Sequence, residues 1–221
     1  MSEPESLAKV EHLAERLHRH RFDRLIMLSD GIFAITTTLA ALEIHIPDRA
    51  PDLLAVLRDS GREMAVYLLS FFIIAMLWVS NRELFARLKR VDAAMTGLVL
   101  ALLCMTALIP AVTRRMHGRP DGEFAAYLLI MGLCGACNSA AWIYAASRRG
   151  LMLDEIGRSE RWTRALTTVP LVLVTLPILL VPISQAATVM IPLLLALVVG
   201  RRLVLPRLLP PDGSPNRRDA P

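Results

Sequence analysis

The residues most capable of chemistry lie in one apolar stretch near the start of the sequence. Residues 25–46 read LIMLSDGIFAITTTLAALEIHI, with a carboxylate at Asp30 and three consecutive threonines, Thr36 to Thr38. A carboxylate at the centre of a membrane span costs about 2.5–3.5 kcal/mol, and such groups usually face other protein or water. Asp30 is therefore either the buried partner of a cation or part of a pathway for ions or solutes.

One face of this stretch combines branched apolar side chains with a hydroxyl. Ile35, Thr38, Leu39 and Leu42 follow the spacing i, i+3, i+4, i+7. Packed around an axis in an oligomer, this face would form a narrow apolar throat with a ring of hydroxyls, and apolar constrictions are one way to build a gate. The same spacing also describes an ordinary helix–helix contact, so the residues alone leave both interpretations open.

The other candidate motifs do not form a catalytic or metal site. Cys134 and Cys137 have the spacing of a redox or metal motif, but no second pair or nearby histidine accompanies them, and they lie in an apolar run, as Cys104 does. The sequence contains no His-Glu-x-x-His run and no Gly-x-Ser-x-Gly elbow. We therefore expect no enzyme activity, no metal and no cofactor.

Long charge-free runs form the elements that must position these residues. No charge occurs over the 36 residues 165–200, and residues 64–81, 93–113 and 124–147 are also free of charge. Such runs exclude a soluble globular protein. A helix of 36 residues would measure about 54 Å against a hydrocarbon core of about 30 Å, so the longest run divides into two. We predict an all-α membrane protein with six spans, at residues 25–46, 62–82, 92–113, 122–147, 165–182 and 184–202.

The basic residues predict the orientation of the spans. Of the 25 lysines and arginines, 19 lie before the first span or at and beyond the C-terminal ends of the second, fourth and sixth. The positive-inside rule then places both termini in the cytoplasm. We expect the protein to lie in the cell inner (plasma) membrane. Its basic side would there face anionic lipid, so the positive charge does not require nucleic acid as a partner. The expected division is a cytoplasmic N-terminal segment (1–24), a six-helix membrane domain (25–205) and a disordered cytoplasmic tail (206–221).

The first two spans resemble a known family. Arg24-x-x-x-Leu28-Ser29-Asp30-Gly31-Ile32-Phe33-Ala34-Ile35 is similar to the Arg-x-x-x-Phe-Ser-Asp-Gly-Val-Phe-Ala-Ile signature of the transmembrane protein 175 family, the endosomal and lysosomal potassium channels and their bacterial relatives. The similarity continues through Thr38-Leu39, Leu42-Glu43-Ile44, Tyr67-Leu-Leu-Ser70-Phe71 and Trp78. It covers about residues 21–115. Leu28 replaces a phenylalanine of the signature, and Asn81 replaces a histidine, so a titratable group is exchanged for an amide that can still form hydrogen bonds.

The resemblance implies a potassium-permeable channel with a homo-oligomeric pore. Bacterial members carry one six-helix repeat and assemble as tetramers in the lipid bilayer, with the pore along the first helix of each copy. By that resemblance Ile35, Leu39 and Leu42 form the constriction, and Thr38 supplies the hydroxyl layer tied to potassium preference. A polar network bracing the first two helices would comprise Arg24, Ser29, Asp30, Trp78 and Asn81.

Two other kinds of membrane transport protein are alternatives to this channel. A channel with a carbonyl filter is excluded, because the sequence has no Thr-Val-Gly-Tyr-Gly-type loop. A secondary transporter is the alternative, since Pro170, Pro177, Gly132 and Gly135 could break the helices that carry them. The two halves of the sequence show no matching pattern that would support it.

The predicted topology is testable by cysteine accessibility. In a background without the three native cysteines, Asp52→Cys and Asp121→Cys should react with an impermeant thiol reagent outside intact cells. Arg158→Cys should not react, because the basic asymmetry places it inside. Labelling of Arg158→Cys from outside would overturn the topology.

Overall fold

The computed structural model describes residues 3–44, 53–115, 120–148, 150–153, 155–166 and 168, and this part of the chain is helical. The helices are α1 (Glu3–Leu42), α2 (Leu53–Phe85), α3 (Ala93–Ala107), α4 (Ile109–Arg115), α5 (Pro120–Ser147) and α6 (Arg158–Leu166). The described residues contain no β-strand, and the predicted all-α class is confirmed for them.

Four segments are long and apolar enough to cross a membrane: Arg19–Leu42, Glu63–Phe85, Ala93–Arg115 and Ala125–Ser147. They coincide with the first four predicted spans. The spans predicted at 165–182 and 184–202 lie outside the described residues, apart from the start of the first of them, and so does the predicted tail at 206–221. Most of the predicted N-terminal segment and the first span form one continuous helix, α1.

The third span is a broken helix. Its N-terminus is capped by Asp92, whose carboxylate accepts a hydrogen bond from the backbone N–H of Met95 at 2.8 Å. The helix ends at Ala107 and resumes at Ile109. Pro110 explains the break, because it has no N–H to donate to the carbonyl four residues earlier and its ring crowds that carbonyl. Leu108 therefore separates α3 from the short helix α4.

The core lies between α3, α5 and the inward face of α2. Its largest fully buried side chains include Met95 and Leu102 of α3, Tyr127 and Trp142 of α5, and Ile74 of α2. α1 contributes Leu25 and Phe33 to this core and packs against α2, α3 and α4. Its far side is left exposed in a single chain.

Polar side chains of α2 join it to its neighbours. Ser70 Oγ lies 3.1 Å from Tyr127 Oη and 3.4 Å from Thr113 Oγ1. About three turns further along, Ser80 Oγ accepts a hydrogen bond from Trp142 Nε1 at 3.0 Å and lies 3.1 Å from Asn138 Nδ2. Hydroxyl and amide groups buried in membrane helices need such partners, because lipid supplies none.

The loops at one end of the bundle are tied by backbone hydrogen bonds. The N–H of Lys89 donates to the carbonyl of Leu151 at 2.8 Å, and the N–H of Leu153 donates to the carbonyl of Arg87 at 3.0 Å. The turn after α5 uses Gly150 with a φ of 81°, a conformation that favours glycine. This pairing fixes the α2–α3 connection against the segment that follows α5.

Removing the Ser80 hydroxyl tests the joint between α2 and α5. Ser80→Ala leaves the buried donors of Trp142 and Asn138 without their acceptor, and polar contacts between membrane helices contribute about 0.6–1.7 kcal/mol. We expect the free energy of unfolding to fall by about 1 kcal/mol, measured by SDS unfolding of the protein in mixed micelles with circular dichroism. Ser147→Ala is the control, since that exposed hydroxyl donates to the Tyr144 carbonyl of its own helix. Equal losses of unfolding free energy in both variants would contradict a stabilising contact between Ser80 and α5.

Candidate functional site

The membrane part of α1 has one face that packs against the rest of the chain. The buried residues follow one another at intervals of three or four positions, as one side of a helix requires: Leu25, Ser29, Phe33, Thr36 and Ala40. This face settles the rotation of α1 about its own axis. Ile26 and Ile32 flank this face and are partly buried against the core, and the side chains on the far side of the helix are directed away from it.

The opposite face of α1 carries the four residues predicted for the throat, and the single chain leaves all of them exposed. Leu42 is 78% exposed and Ile35 is 60% exposed, and Leu39 and Thr38 are exposed as well. Gly31 extends the face, and a Cβ placed there would meet nothing within 4 Å. An apolar stripe of this length has to be covered by lipid or by another protein surface.

The three threonines occupy three different environments. Thr36 is buried, Thr37 is partly buried, and Thr38 is exposed beside Leu39. The hydroxyl of Thr37 donates to the carbonyl of Phe33 at 2.7 Å, and that of Thr38 lies 2.9 Å from the carbonyl of Ile35. Because the Thr38 proton is directed at its own helix backbone, the lone pairs of its oxygen remain on the exposed face. This oxygen is thus oriented to accept hydrogen bonds or to contact a cation.

Asp30 is bound to α2 by the indole of Trp78. The N–H of Trp78 donates to Oδ1 of Asp30 at 2.8 Å. The guanidinium of Arg82 lies over the Trp78 ring, 4.9 Å from its centroid. Hydrogen bonds to an ionised carboxylate are among the stronger ones, and the cation over the ring adds a favourable electrostatic contact. The structure therefore brings together two of the five residues predicted for the polar network.

The other three predicted network residues lie nearby but do not join this bond. The hydroxyl of Ser29 is buried and donates to the carbonyl of Leu25 in its own helix at 2.9 Å. Asn81 is buried, and its Oδ1 has no hydrogen-bond partner among the described residues. Arg24 is exposed, and within the described part of the chain no ion pair links it to Asp30. Roles for Arg24, Ser29 and Asn81 stay predictions.

Sequence reasoning missed the contribution of Arg82 and of α5. Arg82 follows Trp78 by four positions, which places both on one side of α2, and that spacing was the available signal. Asn138 and Trp142 have the same spacing on α5, where both meet Ser80. The sequence shows each pair on one helix, but it does not show which partner on another helix each pair meets.

The cysteines and acidic residues do not assemble into a metal site in the described part of the chain. No group of three or more histidine, cysteine, aspartate or glutamate side chains there could hold a metal ion. Cys134 is buried, Cys137 is partly buried, and Cys104 is exposed. The chemistry available at the site is therefore that of a carboxylate, an indole and a row of apolar and hydroxyl side chains.

The bond between Trp78 and Asp30 predicts that both residues stabilise the position of α1. Trp78→Phe keeps the ring beneath Arg82 but removes the N–H, and we expect it and Asp30→Asn to lower the yield of assembled protein, measured by size-exclusion chromatography. Trp162→Phe, at an exposed tryptophan of α6, is the matched control and should behave like the parent. If Asp30→Asn assembles normally and changes only which ions pass, Asp30 is an ion site and not an anchor.

Comparison with known proteins places these residues in a family. The model of the endosomal/lysosomal potassium channel TMEM175 matches residues 24–110, a range that contains every predicted throat and network residue. A crystal structure of a lysosomal potassium-selective channel TMEM175 homologue from Chamaesiphon minutus has a similar fold, with a TM-score of 0.62, 21% identity and coverage of 81% of this chain and 97% of that one.

Two bacterial relatives show similarity in sequence. A potassium channel of Streptomyces collinus is 32% identical over 139 residues, which are 59% of this chain and 67% of the relative. A potassium channel of Chamaesiphon minutus is 28% identical over 146 residues, 62% of this chain and 72% of the relative. The chain is a membrane protein of the endosomal/lysosomal potassium channel TMEM175 family, whose members are channels and not enzymes.

Proposed function

We propose that this protein is a potassium-permeable channel whose pore is formed by the exposed face of α1 in a homo-oligomer, a tetramer by resemblance to the bacterial members of its family. The observation that carries the proposal is the stripe of Ile35, Thr38, Leu39 and Leu42, which a single chain leaves uncovered. The two bacterial relatives are named as potassium channels, which supports the choice of ion.

The throat of this pore is apolar and short. Ile35, Leu39 and Leu42 span seven positions, about 10 Å along a helix. Rings of branched side chains repel water and raise the barrier for a hydrated cation, so they act as the constriction without a carbonyl filter. Thr38 supplies the one hydroxyl of this stripe, with its oxygen lone pairs on the exposed face. This oxygen ring is our candidate for the potassium preference.

A second exposed stripe, on α2, gives a useful contrast. It consists of Leu68, Phe72, Met76 and Val79, at intervals of three or four positions, and it is apolar throughout. Aromatic and long apolar side chains without a hydroxyl suit contact with lipid tails. The stripe of α1 differs by its glycine and its threonine, and this difference supports α1 rather than α2 as the pore helix.

The proposed membrane arrangement follows the basic residues. We place both termini in the cytoplasm and the protein in the inner (plasma) membrane, with six spans in one repeat and with residues 25–205 as the channel domain. The described loops agree in charge with a cytoplasmic side: Arg82, Arg87, Lys89, Arg90 and Arg148 cluster around the paired α2–α3 and post-α5 segments. Such a basic cluster is attracted to the anionic lipids of the cytoplasmic leaflet.

A secondary transporter is the second candidate, and the broken third span favours it. Transporters often bind their substrate at discontinuous helices near the midplane. The break at Leu108, however, is accounted for by Pro110, and α1 is continuous from Glu3 to Leu42. The two functions separate in liposomes: a channel passes potassium down its gradient without a coupling ion, whereas a transporter saturates and requires one.

The constriction and the hydroxyl layer predict different mutant phenotypes. Ile35→Asn places a polar amide in the throat, so potassium flux into liposomes should rise and selectivity over sodium should weaken. Thr38→Ala should keep conduction but lower the potassium-to-sodium permeability ratio, because the oxygen ring is lost. Thr37→Ala is the matched control, since that hydroxyl is partly buried and bonded to the Phe33 carbonyl.

The permeability ratios decide whether α1 lines the pore. They are read from reversal potentials in mixed potassium and sodium solutions, for the parent and for each variant. Unchanged ratios in both Ile35→Asn and Thr38→Ala would show that α1 does not line the pore. A change in Thr37→Ala as large as in Thr38→Ala would show that Thr38 has no specific role in selectivity.

A further inference from the structure

The residue that directly follows α1 makes a polar contact with another helix. Glu43 directly follows Leu42, and its Oε2 lies 3.8 Å from Nε of Arg114 on α4. α4 packs against α1, as α3 does. Arg114 of α4 thereby lies beside the end of the proposed pore helix.

This ion pair borders a groove that also contains a throat residue. The groove has a volume of about 610 Å³ and lies between α1 and the α3–α4 segment. Leu39 and Glu43 line it from α1, and Pro110, Ala111, Arg114 and Arg115 line it from α4. Leu39 and Glu43 are four positions apart and therefore lie on the same side of α1. A movement of Glu43 relative to α4 would accordingly move Leu39.

Asp30 and Glu43 place polar contacts at both ends of the throat. Thirteen positions separate them, about 20 Å along the helix, and Ile35, Leu39 and Leu42 all fall between. Asp30 is held by Trp78 of α2, and Glu43 is paired with Arg114 of α4. The throat segment is therefore attached to two different helices, one at each end.

We propose that Arg114 is a positioning residue that holds the end of the pore helix through Glu43, so that this ion pair sets the balance between the open and closed channel. The proposal rests on the function proposed above. Arg114 contacts no permeating ion in this scheme. It acts on the constriction by fixing Glu43, and through Glu43 the position of Leu39 and Leu42.

The exposure of the pair sets the size of the expected effect. The Arg114 side chain is 77% exposed and that of Glu43 is 25% exposed, so water and salt screen their attraction. Ion pairs of this kind shift an equilibrium by about twofold each. In a tetramer the four pairs act on one pore, so their effects on the open–closed equilibrium multiply to about 16-fold. The pair is thus suited to adjust opening rather than to hold the assembly together.

The test is a double-mutant cycle on open probability in planar bilayers. Glu43→Gln and Arg114→Gln should each change the ratio of open to closed channels by about 16-fold, in the same direction, and the double variant should change it no further. The charge exchange, Glu43→Arg with Arg114→Glu, should bring it back to within about twofold of the parent. Potassium-to-sodium permeability ratios should stay constant, which separates a change in opening from a change in the conduction path.

Arg115→Gln is the matched control, because Arg115 adjoins Arg114, lines the same groove and carries the same charge. A general loss of positive charge at the mouth would affect both variants equally, whereas the ion pair affects Arg114 alone. Raising the salt concentration with impermeant ions should weaken the coupling between Glu43 and Arg114, because the pair is exposed.

The outcomes separate this proposal from the proposed function. Additive effects of the two single variants, an equal effect of Arg115→Gln, or a charge exchange that assembles but does not restore opening would each overturn the role of the pair while the channel remains. Absence of potassium flux from the parent protein would instead remove both the channel and the role of Arg114 in it.

Discussion

The hydrogen bond from the indole of Trp78 to the carboxylate of Asp30 fixes how the first membrane helix lies on the second. Residues of an α-helix are 100° apart, so Ile35, Leu39 and Leu42 lie about 120–180° around α1 from Asp30. Holding Asp30 against α2 therefore directs the throat residues away from the neighbouring helix. The buried side of α1, from Leu25 to Ala40, sets the same rotation, so the hydrogen bond and the apolar packing support one orientation of the helix.

Polar side chains join α2 to its neighbours. Ser70 contacts α4 and α5, Trp78 contacts α1, and Ser80 contacts α5 again, so three polar positions along one helix connect it to three others. In lipid there is no hydrophobic force between helices, and packing with internal hydrogen bonds has to replace it. These contacts leave one apolar stripe exposed on α1 and another on α2 in the single chain.

Much of this arrangement could be predicted from the sequence, and the remainder depends on contacts between helices. Charge-free runs predicted the second, third and fourth spans, and an apolar stretch interrupted by Asp30 predicted the first. Helical spacing placed Ile35, Thr38, Leu39 and Leu42 on one face, and all four are exposed in the structure. The partner of Ser80 could not be predicted, because a hydroxyl on an apolar helix does not reveal which neighbour it meets. Ser29 illustrates local competition: its hydroxyl bonds to the Leu25 carbonyl in its own helix and not to the polar network.

The central claim is that the exposed face of α1 lines a water-accessible axis shared by several copies of the chain. The direct measurement is block of potassium flux by a charged, water-soluble thiol reagent in a background without native cysteines. Leu42→Cys should react and lose most of its flux, whereas Phe72→Cys, on the exposed apolar stripe of α2, should keep its flux under the same treatment. Equal sensitivity of the two variants, or no effect at Leu42→Cys, would contradict a pore along α1.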